Sequence, residues 1–407
     1  MPQSQSTSQA NRPGQSREGI ALALSGGGYR AMLFHTGALI RLNELGLLKQ
    51  LRRVSSVSGG SISAGYLGFV WKRLRWDTDN VATNFDDEYV ADILRFSRRS
   101  IDYICGAVGF FTQGLLVAPV VAWFYDRYLF QGASLQDLPS DDEGPRFVIC
   151  ATNLSTGSLW RFSKPYMADW RLGRIPSPGF PLSRAVAASS AFPPVLSPLR
   201  LDLSRYTFEP DDLRPREDEL HGPPLPDKLR RRAVLTDGGA YDNHGLEPVD
   251  EWPTLFVSDG GMPHSLTTGG QPTWYHQLAR VLEVEDNQVR SLRRRQLIHR
   301  FQNAAEFARH GISAQDPLYR QNAGKGAYWG IGTNPEVYGS VGGLECAPER
   351  AAQLARVRTA LRDYGDEIRA ELINWGYAVC DKAVRRWYLP QAPAATRWPM
   401  SGGIGSS

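Results

Sequence analysis

The chain has 407 residues, of which 42% are hydrophobic and 22% are charged. This composition excludes a wholly disordered, collagen-like or small disulfide-stapled protein, and the length allows one large α/β domain or two smaller ones. The 46 Lys and Arg residues exceed the 42 Asp and Glu residues by only four. Such a balance does not predict nucleic-acid binding and only mildly favours contact with an anionic surface.

The two ends of the chain and its cysteines bear on where the protein works. Residues 1–18 are rich in Ser, Gln and Asn and contain no apolar core of a secretory signal, so we expect a disordered tail. Residues 391–407 are rich in Pro, Gly and Ser and predict a second flexible tail. The four cysteines form neither a CxxC pair nor a Cys/His cluster at metal spacing. We therefore expect a cytoplasmic setting without a disulfide framework or a zinc site.

The first two predicted strands are each followed by a glycine-rich turn and a helix. The apolar run Ile20–Leu24 is typical of a buried strand, and residues 29–48 have helical spacing that Gly46 would end. Residues 54–57 predict a second strand and residues 62–74 a second helix. This repeated order indicates a parallel sheet with crossover helices.

Residues 104–124 contain no charged side chain. They meet the length criterion of about 18 apolar residues for a membrane-spanning helix. Gly106, Gly109, Gly114 and Pro119 instead favour a broken pair of short helices. A membrane span, a buried core segment and a lid or membrane-surface element are the three alternatives.

The rest of the chain completes the predicted fold. Further strands are predicted at residues 146–151, 159–162, 233–236 and 255–258. Residues 203–232 look like a solvated excursion, and the sequence becomes helical beyond about residue 270. Apolar residues recur at three- and four-residue steps from Leu354 to Val379, which predicts one long helix packed on the α/β body.

The sequence GGGYR (residues 26–30) lies between the first predicted strand and helix. Glycines let the backbone turn sharply and gather N–H groups at a helix N-terminus, where they can hold a phosphate or a developing oxyanion. Gly26, Gly28 and Ala31 also fit the spacing of a dinucleotide fingerprint. The second strand ends at Ser58, however, without the acid that would bind a ribose. Nucleotide binding and a purely structural turn remain alternatives.

Ser58 follows the second strand in SVSGG (residues 56–60), which is typical of a nucleophile elbow. Small neighbours allow the strand and the helix to pack closely, and the turn presents the hydroxyl above the sheet edge. The usual elbow has glycine where this chain has Ser56. Ser61 and Ser63 are rival nucleophiles, and a Ser/Gly turn that caps a helix is the structural alternative.

Asp237 ends another predicted strand and precedes two glycines. Its carboxylate would lie at the sheet edge where Ser58 emerges and could act as a general base for that serine. Asp259 has the same setting in SDGG (residues 258–261). Either turn taken alone could be structural.

For three further features, a structural role is the simpler interpretation. The small-residue helix at residues 185–194 would pack closely against the sheet. His35 and His244 could each belong to a serine triad, although a packed or solvated histidine is simpler. Five arginines could lie on anionic headgroups or form a solvated helix face: Arg290, Arg293, Arg294, Arg295 and Arg300.

Taken in chain order, GGGYR at residues 26–30, Ser58 with its glycines, and Asp237 with its glycines resemble the patatin-like phospholipase family. SGGGYRAM (residues 25–32) is also similar to the cytosolic phospholipase A2 branch. The resemblance covers roughly residues 19–259. It implies a three-layer α/β/α hydrolase with a mostly parallel central sheet, no metal and no cofactor. Ser56 and Ala31 depart from glycines that are common in the family, which leaves the implied site intact.

The resemblance implies a Ser–Asp dyad without histidine, in which Ser58 is the nucleophile and Asp237 the base. Asn243 and Pro248 downstream favour Asp237 over Asp259. Backbone N–H groups of the glycine-rich loop would form the oxyanion hole, and Arg30 would support the loop, meet a lipid phosphate or form a structural salt bridge. The implied site residues are Ser58, Asp237, Gly26, Gly27, Gly28, Arg30, Ser56, Gly60, Gly238 and Gly239.

We therefore expect a serine lipid acyl hydrolase that cleaves phospholipid or other acyl esters through an acyl-enzyme. An acyltransferase, a nucleotide-binding protein and an inactive scaffold are the alternatives. If Ser58 and Asp237 share one site, a single membrane crossing at residues 104–124 would separate them, so a lid or surface element with peripheral contact to an anionic membrane fits better. The expected layout is a catalytic domain at residues 19–265 and a helical region at residues 266–390 packed on it.

Overall fold

The computed structural model describes residues 19–112, 116–193, 196–210, 226–263 and 273–405. The predicted tail at residues 1–18 lies outside the described residues. So do residues 113–115 of the apolar run, Pro194, residues 211–225 of the predicted excursion, residues 264–272 and residues 406–407.

The described residues form ten strands and eleven α-helices. The strands are β1 (Ile20–Leu24), β2 (Leu51–Val57), β3 (Arg146–Asn153), β4 (Ser158–Phe162), β5 (Tyr166–Asp169), β6 (Gly173–Pro176), β7 (Leu199–Asp202), β8 (Arg232–Asp237), β9 (Thr254–Asp259) and β10 (Lys325–Gly330). The helices are α1 (Gly28–Glu44), α2 (Gly59–Val70), α3 (Ala91–Ser97), α4 (Asp102–Thr112), α5 (Val117–Tyr125), α6 (Leu182–Ser189), α7 (Gly239–Asp242), α8 (Trp274–Arg309), α9 (Pro317–Asn322), α10 (Pro348–Ala355) and α11 (Asp366–Trp387).

The strands form one mixed sheet in the order β10-β9-β1-β2-β3-β4-β5-β6. The five strands from β10 to β3 are parallel, and β4, β5 and β6 continue the sheet antiparallel. The carboxyl ends of the parallel strands therefore meet at one edge. The predicted strands in this part of the chain are confirmed, and so is the α/β class.

Strand β8 enters the sheet from beyond that edge. Val57, the last residue of β2, pairs with Cys150, and the next residue of β3, Ala151, pairs antiparallel with Asp237. Because β4 pairs with the other side of β3, β8 continues along the same side as β2, beyond the point where β2 ends. This register brings the end of β8 to the same level of the sheet as Ser58.

Helices cover both faces of the sheet, which gives the three expected layers. Alternate residues of β1 face opposite sides, because side chains alternate along a strand. Leu22 and Leu24 pack into the main core with residues of α1, α2, α5, α6 and α11, whereas Ala21 and Ala23 pack with Leu297 of α8. Helices α1 and α11 pack closely through glycine, since a Cβ at Gly37 would collide with the main chain of α11.

The C-terminal part of the chain differs from the prediction in two ways. The predicted long helix at residues 354–379 is wrong: α10 and α11 are separated by residues 356–365, whose main-chain groups bond to other parts of the protein. Strand β10, which pairs with β9, was not predicted because its glycine-containing sequence KGAYWG is short and carries no clear alternation.

The apolar run at residues 104–124 forms the predicted pair of short helices, α4 and α5. Among the helices of the described residues, none has the combined length and hydropathy that crossing a bilayer requires.

Candidate active site

Ser58 lies in the turn between β2 and α2. Its backbone has φ 52° and ψ −121°, a conformation that is strained for a residue with a side chain. The Ser58 N–H donates to the hydroxyl of Ser189 at 2.9 Å, and that hydroxyl donates to the carbonyl of Cys150 at 2.6 Å. Ser189 on α6 therefore holds the turn in place.

The glycines after Ser58 bring the turn against the glycine-rich loop. A Cβ at Gly59 would collide with the carbonyl of Gly28, and a Cβ at Gly60 would collide with main-chain carbonyls at the end of β1. The Gly60 N–H also donates to the carbonyl of Ser25 at 3.1 Å. Glycine is required at both positions for this close approach.

The serines near Ser58 have different surroundings. Ser61 and Ser63 are fully buried. The Ser61 hydroxyl contacts the hydroxyls of Ser56 and Ser189 at 3.0 and 2.8 Å, and the Ser63 hydroxyl donates to the carbonyl of Met32. Both hydroxyls are thus engaged in buried hydrogen bonds. Ser56 accepts the hydrogen bond from Ser61.

Asp237 is buried at the end of β8, with 4% of its surface exposed. Its Oδ1 accepts the Gly239 N–H at 2.7 Å, whereas Oδ2 is buried and lacks an aligned hydrogen-bond partner among the described residues. Burial raises the pKa of Asp237 to about 7; the Gly239 N–H and the Ser58 hydroxyl act against the rise, and the Asp286 carboxylate adds to it.

The end of α6 joins the two turns. The Asp237 N–H donates to the carbonyl of Ala191, and the Gly238 N–H donates to the carbonyl of Ser189. Because the Ser189 hydroxyl also accepts the Ser58 N–H, one short segment fixes the main chain of both turns. The sequence predicted only close packing for this segment, and its small residues gave no signal of the bridging role.

The glycine-rich loop presents two uncommitted donors. The Gly26 N–H donates to the carbonyl of Asn243 and the Tyr29 N–H to the carbonyl of Ala360, both at 3.0 Å. Between them, the N–H groups of Gly27 and Gly28 take part in none of the hydrogen bonds formed among the described residues. These are the donors that the resemblance assigns to the oxyanion hole.

Arg30 is fully buried below the loop. Its Nε and Nη2 donate to the carbonyl of Gly260 at 3.2 and 3.0 Å, and Nη1 donates to the carbonyl of Val357 at 2.6 Å. Burial lowers the pKa of Arg30 to about 10. The expectation that Arg30 meets a lipid phosphate is therefore wrong, because its guanidinium already donates three hydrogen bonds to main-chain carbonyls. Arg30 instead supports the loop structurally.

The second Asp-Gly-Gly turn is a support for the same loop. Gly260 donates its N–H to the Ser25 hydroxyl, and the Asp259 carboxylate accepts from Gly261 N–H and Tyr328 OH. The carboxylate also faces His244 at 3.1 Å and Arg290 at 3.5 Å. Although burial alone would raise it, the Arg290 charge and the contacts with His244 and Tyr328 hold the pKa of Asp259 well below its ordinary value.

Neither candidate histidine bonds to Ser58 or Asp237 among the described residues. His35 is buried between the Ser258 hydroxyl and the Ser25 carbonyl, at 2.8 and 2.9 Å, and burial lowers its pKa to about 4. A neutral His35 that donates to the Ser25 carbonyl supports the glycine-rich loop from below.

Most of the predicted arginine cluster faces the protein. Arg290 contacts Asp259, Arg293 contacts Glu247 and Asp242, and Arg300 approaches main-chain carbonyls. Arg294 and Arg295 remain exposed.

The described residues contain a groove of about 2180 Å³ near the amino ends of the strands, opposite the edge that carries Ser58. Its lining includes Arg53, Arg161 and Glu251 but neither Ser58 nor Asp237. The described part of the chain has no group of three or more His, Cys, Asp or Glu side chains placed to hold a metal ion.

Comparison with known proteins gives one family match. The family model described as patatin-like phospholipase matches residues 22–250. No curated protein matches the chain.

Solved structures match the chain at low sequence identity, and one of them has a TM-score above 0.5. Human GIVD cytosolic phospholipase A2 has a TM-score of 0.51 and 13% identity, covering 90% of this chain and 58% of that chain. The same human enzyme in complex with methyl gamma-linolenyl fluorophosphonate has a TM-score of 0.44 and 13% identity, with 90% and 57% coverage. VipD from Legionella pneumophila has a TM-score of 0.34 and 13% identity, with 90% and 66% coverage. The chain thus spans little more than half the length of the human enzyme.

Proposed function

The chain belongs to the patatin-like phospholipase family, an ester hydrolase family whose model spans more than half of it, and we propose that it hydrolyses carboxyl esters of phospholipids through an acyl-enzyme on Ser58. The observation that carries the proposal is Asp237. Its buried carboxyl has a pKa near 7 and an uncommitted oxygen, and it lies beside the strained Ser58 turn.

In the first half of the reaction, the Ser58 hydroxyl attacks the ester carbonyl carbon while Asp237 accepts the hydroxyl proton. The carbonyl oxygen gains the negative charge and accepts the N–H groups of Gly27 and Gly28. Collapse of this intermediate breaks the ester C–O bond, and Asp237 returns the proton to the departing alcohol. In the second half, water attacks the acyl-serine with the same carboxylate as base, which releases the fatty acid and restores the Ser58 hydroxyl.

The raised pKa makes this chemistry effective near neutral pH. A carboxyl with the ordinary pKa of about 4 is a weak base, whereas a base with a pKa close to the working pH transfers protons best. Loss of one oxyanion donor typically reduces the rate by about 10²–10³-fold. The glycine-rich loop and Asp237 therefore supply the two main contributions to catalysis.

A fluorophosphonate probe tests the assignment, because it modifies an activated serine. We expect labelling of the wild type and of Ser63→Ala, no labelling of Ser58→Ala, and much slower labelling of Asp237→Asn. Ser63→Ala is the matched control, since it removes a nearby serine hydroxyl that lies in α2. Persistent labelling of Ser58→Ala would contradict the assignment. Analysis of the products with water or an added alcohol as acceptor separates hydrolysis from acyl transfer.

We further propose that α4 and α5 contact the lipid surface. Phe111 is 82% exposed, Tyr103 is 70% exposed and Trp123 is 56% exposed. The pair is next to the candidate site, because Tyr125 at the end of α5 contacts the Ser190 hydroxyl at 3.0 Å, one residue beyond α6. Exposed aromatic side chains on short helices insert favourably into the headgroup region.

Vesicle sedimentation tests this contact. We expect Tyr103→Ser/Trp123→Ser to weaken binding to mixed phosphatidylcholine and phosphatidylglycerol vesicles several-fold. Trp387→Ser is the matched control, because Trp387 is 49% exposed at the end of α11. Equal weakening by the control, or none by the double variant, would contradict the proposed contact.

A further inference from the structure

The connection between α10 and α11, residues 356–365, lies directly on the glycine-rich loop. The Ala360 carbonyl accepts the Tyr29 N–H at 3.0 Å, and the Val357 carbonyl accepts Nη1 of Arg30 at 2.6 Å. A Cβ at Gly28 would lie 2.7 Å from the Ala360 oxygen. Since Gly28 also touches the glycine that follows Ser58, the connection borders the candidate site.

Hydrogen bonds fix the backbone of the α10–α11 connection on its other side. The Leu361 N–H donates to Oδ1 of Asp102 at 3.0 Å, and the Ile101 N–H donates to the Leu361 carbonyl at 2.7 Å. The Tyr364 hydroxyl donates to the Arg358 carbonyl at 2.6 Å. The segment is therefore held in one conformation although it is neither helix nor strand.

This fixed segment carries three arginines, Arg356, Arg358 and Arg362. Among the described residues, their guanidinium groups take part in no ion pair or hydrogen bond, and Arg356 and Arg358 are exposed. Two acidic residues close in sequence, Asp363 and Asp366, are instead paired with Arg369. Asp102 is the acid that faces Arg358 and Arg362, and its Oδ1 is taken by the Leu361 N–H.

We propose that Arg358 and Arg362 bind the phosphate of a phospholipid while its ester lies at Ser58. This assignment rests on the proposed function and names its substrate class: acyl esters that carry a phosphodiester, in preference to neutral acylglycerols. Arg30 is unavailable for this task because three main-chain bonds occupy it. Guanidinium groups match phosphate geometry, and a backbone that is already ordered loses less entropy on binding.

Equilibrium binding of two non-hydrolysable ligands tests the assignment without requiring turnover. The ligands are a short-chain diether phosphatidylcholine, used below its micelle concentration, and the matching diether glycerol. We expect the wild type to bind the phosphatidylcholine at least tenfold more tightly. In Arg358→Gln/Arg362→Gln, its Kd rises about tenfold, as for loss of one charge-assisted hydrogen bond, and the Kd for the diether glycerol changes less than twofold.

Arg295→Gln is the matched control, because it removes an exposed arginine that lines the groove at the opposite edge of the sheet. It should bind both ligands as the wild type does. The assignment is overturned if the double variant binds both ligands like the wild type, if it loses both equally, or if the wild type does not discriminate between them. Hydrolysis of a short-chain diester phosphatidylcholine is measured separately, so failure of the proposed function is recognised by absent turnover and failure of this assignment by the binding pattern.

Discussion

The two Asp-Gly-Gly turns of this protein have the same sequence pattern and opposite electrostatics. In the turn at Asp237, one carboxylate oxygen accepts the Gly239 N–H and the other has no aligned partner among the described residues, and burial raises the pKa to about 7. In the turn at Asp259, Tyr328, His244 and Arg290 surround the carboxylate and keep it charged. A buried carboxylate that is fully bonded supports structure, whereas one left partly unsatisfied is available to accept a proton.

The largest expected difference between the turns is in activity. Asp237→Asn removes the proposed base, and we expect kcat/KM for a short-chain phospholipid to fall by about 10²–10⁴-fold. Asp259→Asn should lower kcat/KM of the folded enzyme by less than tenfold, since Asp259 acts only by supporting the glycine-rich loop. The measurement is steady-state kinetics on protein shown to be folded by circular dichroism. An equal loss of activity in Asp259→Asn and Asp237→Asn would contradict the assignment of the base to Asp237.

For the stability of the fold, we expect Asp259 to be more important than Asp237. Asp259→Asn leaves the Arg290 charge in a largely buried place without its main partner, so we expect the free energy of unfolding to fall by about 3 kcal/mol. Urea denaturation at pH 7.5 measures this change. Asp316→Asn is the control: Asp316 is an exposed helix cap on α9, and asparagine caps a helix equally well. A loss below about 0.5 kcal/mol for Asp259→Asn would show that its ion pairs contribute little.

Asp237→Asn should stabilise the protein, and only at higher pH. The folded state keeps the Asp237 proton up to a pH of about 7, whereas the unfolded chain releases it near pH 4. The wild type therefore loses stability as pH rises through this window, by at most about 4 kcal/mol, and the amide variant does not. Unfolding should give similar stabilities at pH 4 and a more stable variant at pH 8. A difference that does not grow with pH would contradict the raised pKa.

Sequence patterns located the strands better than they located their contacts. The apolar run of β1 and the strands that end at Val57, Asp237 and Asp259 were predicted because each is a short apolar segment before a turn. The antiparallel approach of β8 from beyond the sheet edge was not predicted, since its pairing with Ala151 depends on where β2 ends alongside β3.

The contacts around the site could be predicted from the sequence even less well than the strand pairing. The contacts of Arg30 come from Gly260 and Val357, each more than 200 residues away. The division of the predicted C-terminal helix depends on bonds to residues of α1 and to Asp102. The apolar spacing from Leu354 to Val379 indicates a buried face, but burial alone does not require one continuous helix.

The smallest expected effect concerns Asp286, which belongs to neither turn. This half-exposed carboxylate on α8 lies 3.8 Å from Arg290, and its charge adds to the raised pKa of Asp237. Since a carboxylate base is active when ionised, kcat/KM should rise with pH through about 7 in the wild type. Removing the negative charge in Asp286→Asn favours ionisation of Asp237, so the acidic limb of the pH profile should move to lower pH, with the plateau value unchanged. Salt should reduce the shift because Asp286 is partly in solvent. An unchanged acidic limb, or a shift to higher pH, would contradict the contribution of the Asp286 charge to the raised pKa of Asp237.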